Sequence, residues 1–339
     1  MRIIHYHSPS GNFGDDLNEI LWRELLPPDC FAPDDTVLLG IGSIFRDDFL
    51  SEEATRNKRV FILGSGAGTG PLPRLWPRAN WSVLAVRGPL TAKLIGRPET
   101  AVTDSAALLA TTPRLLPRRT SADEGEVVFL PHYNSVPHSC WPEACKLADI
   151  LFVDPHRPPR EILQILGRAR LVITEAMHGA IVADTLRVPW VPVVCSPSIV
   201  SFKWVDWTQS LNLEYRPLVL PPSSGWEVLK HFKIRMAERR EVRKSLAQQP
   251  DQDLIRDFYE RYGDAAAEDL VAKPVLNAPA KSAVKRMASL FDRFTIPRAA
   301  EALHRAARSR AYLSDERILA DRVERLDDCV TTLHRALAA

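Results

Sequence analysis

Residues Ala169–Cys195 read ARLVITEAMHGAIVADTLRVPWVPVVC. The run Ala169–Thr174 lacks apolar–polar alternation, the mark of a strand buried on both faces in a helix-covered parallel sheet. It stops at Glu175-Ala176-Met177-His178-Gly179. A helix of small and aliphatic residues follows at Ala180–Leu186, and Trp190–Cys195 is a second buried run. Strand, helix, strand in this order is a βαβ unit, and such units build parallel sheets. Ligands of open α/β sheets bind outside the carboxyl ends of the strands. Glu175 and His178 stand at such an end, beside a helix N-terminus that favours anions. They are the first candidates for chemistry, with Gly179 at the turn.

The pattern repeats outward. Before the quoted stretch, Glu126–Leu130 ends at Pro131-His132-Tyr133-Asn134, Asp149–Val153 ends at Asp154-Pro155, and Pro159–Gly167 reads as a helix. Earlier still, Arg2–His7 runs into Gly11-Asn12-Phe13-Gly14, and Asn18–Leu26 is helical by its apolar spacing. Thr36–Leu39 stops at Gly40-Ile41-Gly42-Ser43, Arg59–Leu63 at Gly64-Ser65-Gly66, and Ser82–Val86 at Arg87-Gly88-Pro89. The helix Leu90–Ile95 follows. An aperiodic Pro-, Arg- and Ser-containing stretch at 112–125 divides the two series. The expected fold is α/β: two Rossmann-like, doubly wound domains, 1–118 and 124–262, facing a cleft. A helical C-terminal extension covers 263–339.

That extension has its own pattern. Trp226–Leu246 is a long charged helix, and 263–280 reads as a linker. Residues 281–310 hold eight basic and two acidic side chains, a net +6. Val284, Met287, Leu290, Phe291 and Phe294 fall on one helical face there. A basic amphipathic helix suits an anionic membrane surface; a solvated helix packed back on the protein is the alternative. Leu319, Val323, Leu326, Val330, Leu333 and Leu337 form a short heptad seam, which suggests a homodimer.

Composition narrows the class. The chain has 339 residues, 45% apolar and 25% charged, ordinary for a soluble protein of about two domains. A net charge of +2 excludes a strongly basic nucleic-acid binder. Cys30, Cys140, Cys145, Cys195 and Cys329 include no C-x-x-C pair, so free thiols in a reducing compartment are expected. The N-terminal apolar run is too short for a signal peptide, and no apolar stretch is long enough to span a membrane. A cytoplasmic protein is expected, peripheral on the inner face of the membrane if the basic helix binds there.

Further candidates cluster at strand ends. Asn12, Gly14, Asp15, Asp16 and Asn18 stand where a helix begins, the position of caps as well as ligands. The turns holding Gly42, Ser43, Gly64, Ser65 and Gly66 present backbone N–H groups that can cradle an anion. Arg87 places a guanidinium at the sheet edge, suited to bidentate binding of carboxylate or phosphate and equally to a structural ion pair. Asp104 occupies another strand-to-helix turn, as cap or ligand. In Phe202-Lys203-Trp204-Val205-Asp206-Trp207, the tryptophans fit a sugar platform or a core anchor. No metal-ligand spacing is apparent, so neither metal nor cofactor is expected.

Together these segments (NFGDDLN, GIGS, LGSG, VRGPLT, TDSA, EAMHGAIVADTLRVPWV and KWVDWTQSLNL) resemble the polysaccharide pyruvyl transferases, nearest to the bacterial exopolysaccharide branch. The resemblance covers roughly residues 1–215. It implies a glycosyltransferase B-like fold and phosphoenolpyruvate as donor. The implied acceptor is a pair of hydroxyls on one sugar of a lipid-linked oligosaccharide. The implied products are a cyclic pyruvate ketal and phosphate. The family's key arginine and histidine correspond to Arg87 and His178. His178 is then the general acid, Glu175 its orienting partner or a base, and Arg87 the donor clamp. Two other readings fit the same residues. A nucleotide-sugar glycosyltransferase would use Glu175 for the ribose. A non-catalytic assembly scaffold would use the heptads and basic stretch.

Overall fold

The computed structural model describes residues 1–32, 35–116, 125–237, 250–262, 284 and 286–338. The expected domain boundary near 118–124, the linker 263–280 and the end of the expected helix Trp226–Leu246 lie largely or wholly outside these residues.

Two parallel sheets carry the chain. The first comprises β1 (Arg2–Ile4), β2 (Thr36–Leu39), β3 (Arg59–Ser65) and β4 (Trp81–Val86), in the order β1-β2-β3-β4. The second comprises β5 (Val127–Leu130), β6 (Leu151–Phe152), β7 (Leu171–Thr174), β8 (Trp190–Val194) and β9 (Leu218–Val219), in the order β6-β5-β7-β8-β9. All its pairs are parallel, and the order in which successive strands are added turns back between β5 and β7. Such a switch opens a crevice outside the strand ends, where ligands bind. The first sheet contains no reversal, and Ala101 bridges Val86 beyond β4 in the same sense. Both sheets are parallel, as expected of an α/β fold; the second contains a switch point and the first does not. Apolar runs reveal strands but carry no information on the order in which they pair.

The α-helices include α1 (Phe13–Leu25), α2 (Glu52–Thr55), α3 (Pro89–Leu94), α4 (Trp141–Ala148), α5 (Pro159–Arg168), α6 (Met177–Thr185), α7 (Ser201–Ser210), α8 (Gly225–Ala237), α9 (Asp251–Tyr262), α10 (Asp292–Ala307) and α11 (Glu316–Ala338). Helix α1 starts five residues earlier than the expected Asn18. Gly14 reads as a turn residue, yet it lies in the first helical turn because only a residue without Cβ fits against the His178 ring. Asp16 reaches back to accept from the Asn12 N–H (2.8 Å), satisfying a donor the helix leaves unpaired. Asn18 is fully buried and uses both ends of its amide. Its Oδ1 accepts from Trp22 Nε1 and the Ile41 N–H, and its Nδ2 donates to the Asp15 and Ile41 carbonyls, all at 2.9 Å. These bonds fix α1 to the end of β2.

One apolar core runs through both halves. It joins Leu38 and Leu63 of the first sheet to Val128, Leu130 and Val172 of the second through Phe13, Leu17 and Leu21 of α1 and Ala180 and Ile181 of α6. Helix α10 lays Ala299, Ala300, Leu303 and Ala306 on Phe129, Trp141 and Ile173. The chain then bridges Tyr312 to Trp190 of β8 and returns to the first sheet as α11. Leu319, Leu326, Val330 and Leu333 are buried in the shared core, with Val323 and Leu337 packed against it. The heptad seam is thus covered by the chain's own sheet, and the expected dimer contact is corrected: these side chains have no face left for a second copy. The five cysteines are unpaired, as expected.

Candidate active site

The carboxyl ends of both sheets meet at a cavity of about 290 Å³. The first half contributes Tyr6, Asn12, Gly14, Asp15, Ser43 and Arg46. The second contributes His132, Tyr133, Met177, His178, Ser198 and Lys203. His132 follows β5 and His178 follows β7, so the switch point of the second sheet opens directly into it.

His178 sits in the first turn of α6, 13% exposed, with Nε2 3.6 Å from Asp104 Oδ2. Neither atom has a hydrogen-bond partner among the described residues. Asp104 is fully buried, and its other oxygen caps the following turn by accepting from the Ala106 N–H (3.0 Å). The opposite side of the imidazole rests on Gly14, where a Cβ would overlap the ring. Gly179, next to it, is needed where α6 crosses Thr174 and Leu130.

Asp15 accepts a hydrogen bond from Asn12 Nδ2 and abuts Gly42, whose φ of +122° and close carboxylate neighbour both require glycine. Burial raises the Asp15 carboxyl to about 6, against the pull of His178 and Lys203. Burial, with Arg87 nearby, lowers the Lys203 ammonium to about 8, while Asp15 and Glu175 oppose the shift. Among the described residues Lys203 makes no hydrogen bond or ion pair, leaving its charge to the cavity. Arg46 is the second cation of the lining, anchored by donating to Asp48 Oδ1 (2.6 Å) and the Thr69 carbonyl (2.9 Å). Burial, reinforced by Lys203, Lys230 and His178, holds His132 well below its ordinary value. Its Nδ1 accepts from the Asn134 N–H (3.3 Å), as a neutral ring does.

The remaining candidates lie behind the walls. Arg87 is fully buried: Nε donates to Asp206 Oδ2 (3.1 Å), Nη1 to Ser43 Oγ (2.7 Å) and Nη2 to the Ala67 carbonyl (2.6 Å). Gly66 is glycine because the guanidinium lies where its Cβ would be. Ser65 donates to the Gly42 carbonyl (3.1 Å) and Gly64 packs on Ser105, so this turn supports the one that carries Ser43. Glu175 is also fully buried. It accepts from the N–H groups of Cys195 (2.7 Å), Ser196 (2.8 Å) and His132 (3.2 Å). Burial raises its carboxyl, and those N–H donors oppose the rise. Its oxygens pin two loops, and the carboxylate facing His178 is Asp104. Trp204 is stacked on Tyr215 at 5.0 Å inside the core. Asp16 caps α1, as above.

Arg46, His132 and Tyr133 were not among the sequence candidates, although the strand-end rule passes through His132-Tyr133-Asn134. What singles out His132 and Tyr133 is the strand order, which brings the end of β5 beside the end of β7; Arg46, on the loop after β2, is held at the cavity by its bond to the Thr69 carbonyl.

Residues 12–197 match the polysaccharide pyruvyl transferase family. Over 337 residues, 99% of each chain, the sequence is 33% identical to the succinoglycan biosynthesis protein ExoV of Rhizobium meliloti (strain 1021). The matched segment includes the cavity-lining residues from Asn12 to His178. The strand-end motifs, the shared cavity and a full-length relative agree: this chain belongs to the polysaccharide pyruvyl transferase family and is a pyruvyltransferase enzyme.

Proposed function

We propose that the enzyme transfers the enolpyruvyl group of phosphoenolpyruvate to two hydroxyls of one sugar in a lipid-linked exopolysaccharide repeat unit, giving a pyruvate ketal and phosphate. The observation that carries this reading is the convergence of Lys203, Arg46, His178 and Asp15 on one cavity. The donor bears a carboxylate and a phosphate, and two cations suit two anions. The exopolysaccharide setting follows from the relative's role in succinoglycan biosynthesis.

In this mechanism His178 delivers a proton to the methylene carbon, with Asp104 behind the ring to stabilise the imidazolium. A sugar hydroxyl adds to the central carbon as Asp15 takes its proton. The carbon–oxygen bond to phosphate then breaks and phosphate leaves with the bonding pair. The second hydroxyl adds to the same carbon and closes the ring. The proton on Asp15 passes back to His178, so that in net terms one hydroxyl proton ends in the new methyl group and the other on phosphate. Lys203 and Arg46 hold the donor's anions. Arg87 acts through Ser43, and Glu175 through His132 and the Ser196 loop, as positioning residues. The test is phosphate release from phosphoenolpyruvate with a panel of lipid-linked oligosaccharides. Release of nucleotide from a sugar nucleotide, with none of phosphate, would assign a glycosyltransferase instead.

The titrations predict the pH dependence. As a base, Asp15 must be ionised, and its carboxyl lies near 6. As an anion clamp, Lys203 must be protonated, and its ammonium lies near 8. Plotted against pH, kcat/KM should be bell-shaped, with Asp15 setting the acid limb and Lys203, together with the proton that His178 must hold as general acid, setting the alkaline limb. Lys203→Arg should remove the Lys203 part of the alkaline limb, because guanidinium keeps its proton, and leave the part that belongs to His178. An alkaline limb unchanged in Lys203→Arg would detach it from Lys203.

The lipid-linked acceptor and a peripheral membrane position are supported by a surface patch. No helix among the described residues is long and apolar enough to cross a membrane. Met287, Leu290, Phe291 and Phe294 are 51–70% exposed, interspersed with exposed Arg286 and Arg293, the latter over the Phe294 ring. Helix α8, docked through the Gly225 N–H to Asp292 Oδ1 (2.8 Å), adds exposed Leu229 and Phe232. Apolar side chains among cations fit an anionic bilayer surface. Because α10 and α11 complete the core, deleting the tail is uninformative. The double variant Met287→Glu/Leu290→Glu should lose sedimentation with anionic liposomes and keep activity on a soluble acceptor. Sedimentation equal to the parent's would move the membrane contact elsewhere.

A further inference from the structure

A second group of titratable side chains lies outside the active cavity. After β1 ends at Ile4, the chain continues as His5-Tyr6-His7. Side chains two apart on an extended segment share a side. His5 and His7 do so here, with ring centroids 6.2 Å apart, while Tyr6 lines the active cavity and approaches Tyr133 at 6.4 Å. Across from the imidazoles, Glu19 projects from α1, and its carboxylate comes within 3.6 Å of His5 Nε2. One donor atom from each of His5, His7 and Glu19 lies within 4.8 Å of the other two.

The geometry points to a binding site for a divalent transition-metal ion of the zinc class, held by His5, His7 and Glu19. Two imidazoles and one carboxylate are the ligand types that such ions select over calcium or magnesium, which prefer all-oxygen shells. Both ring nitrogens of His5 are buried, and neither has a hydrogen-bond partner among the described residues. A buried imidazole nitrogen is poorly placed without a partner, and a metal ion would occupy one. Ligand bonds of about 2.0–2.2 Å separate tetrahedral donors by roughly 3.3–3.6 Å, so a gap at the 4.8 Å limit closes by roughly 1.2–1.5 Å on an ion. His7 and Glu19 are exposed and can make that movement. An adjoining cavity of about 550 Å³, lined by His5 and Glu19, gives a hydrated ion access and leaves room for water as fourth ligand. Arg23 lines the same cavity, but its guanidinium is stacked on Phe31 at 5.5 Å.

The ion would tie the segment after β1 to the outer face of α1, the helix whose inner face carries Gly14 and Asp15. It would therefore brace Tyr6 on the rim from behind and take no part in the chemistry.

The full-length chain, stripped with a chelator, is titrated with Co2+ followed by absorption and then with competing Zn2+. One equivalent of cobalt with the visible bands of a low-symmetry, four-coordinate ion is expected, displaced by zinc, and zinc should raise the melting midpoint. Exposed His7→Ala and Glu19→Gln should each lose that equivalent and the zinc-dependent rise, while their metal-free melting stays at the parent's value. No stoichiometric binding by the parent would overturn the assignment. So would variants that titrate like the parent, since the ion would then sit elsewhere, for example on cysteines.

Discussion

Replacing His178 by alanine should lower turnover by roughly 10²–10⁴-fold, the usual contribution of a positioned proton donor, and leave the protein folded. The side chain makes no hydrogen bond among the described residues and is partly open to the cavity, so little packing is lost. What disappears is the imidazole held between Gly14 and Asp104. Asp104→Asn should act on the same step more weakly, lowering kcat with little change in the KM for phosphoenolpyruvate. Steady-state phosphate release, with circular dichroism as the folding control, checks both. Near-normal turnover in a folded His178→Ala protein would remove His178 from the chemistry.

The second large effect falls on stability. Arg87→Met should cost about 3–5 kcal/mol, the range for removing one partner of a buried ion pair. Arg87 and Asp206 are both wholly inaccessible. Asp206 would keep its bonds from Thr91, N–H at 2.9 Å and Oγ1 at 2.6 Å, but hold a buried charge without its cation. Ser43 and the Ala67 carbonyl would lose their donors as well. Arg87→Lys restores the charge but not the fork that reaches three acceptors, so an intermediate loss is expected. Denaturant midpoints of the three proteins decide this. A methionine variant as stable as the parent would show that the pair contributes nothing net. If Arg87 instead clamped the donor, its variants would change the donor KM at unchanged stability.

The two series of buried strands were legible because apolar runs and glycine-rich stops are local signals. His178, Asp15 and Lys203 were legible for the same reason, as polar residues at strand ends or in an unusual motif. Three things were not. The winding of the first sheet depends on pairing order, which leaves no periodic trace. The depth of Arg87 and Glu175 depends on partners 119 positions away for the first pair and 43, 20 and 21 for the second. A charge at a strand end looks the same whether it faces the ligand or supports the loop that does. The heptad seam of α11 was visible, but a stripe of leucines does not say which surface it covers. Here the surface is the chain's own first sheet.

That return of α11 to the first sheet also sets an order of events. Arg59 on β3 donates to the carbonyl of Ala336, 277 positions later (2.6 Å), and Cys329 lies against the Leu84 carbonyl of β4 (3.4 Å). At about 5–20 residues per second, a ribosome needs roughly 15–55 s to travel from one partner to the other. Throughout that interval the nascent first half displays the apolar surface that Leu326, Val330 and Leu333 will cover, and contacts of such long range form slowly. The N-terminal half is thus translated early but completed last. Chains that stop short of α11 keep an exposed apolar face as well as an unfinished enzyme, which makes them substrates for chaperones and proteases.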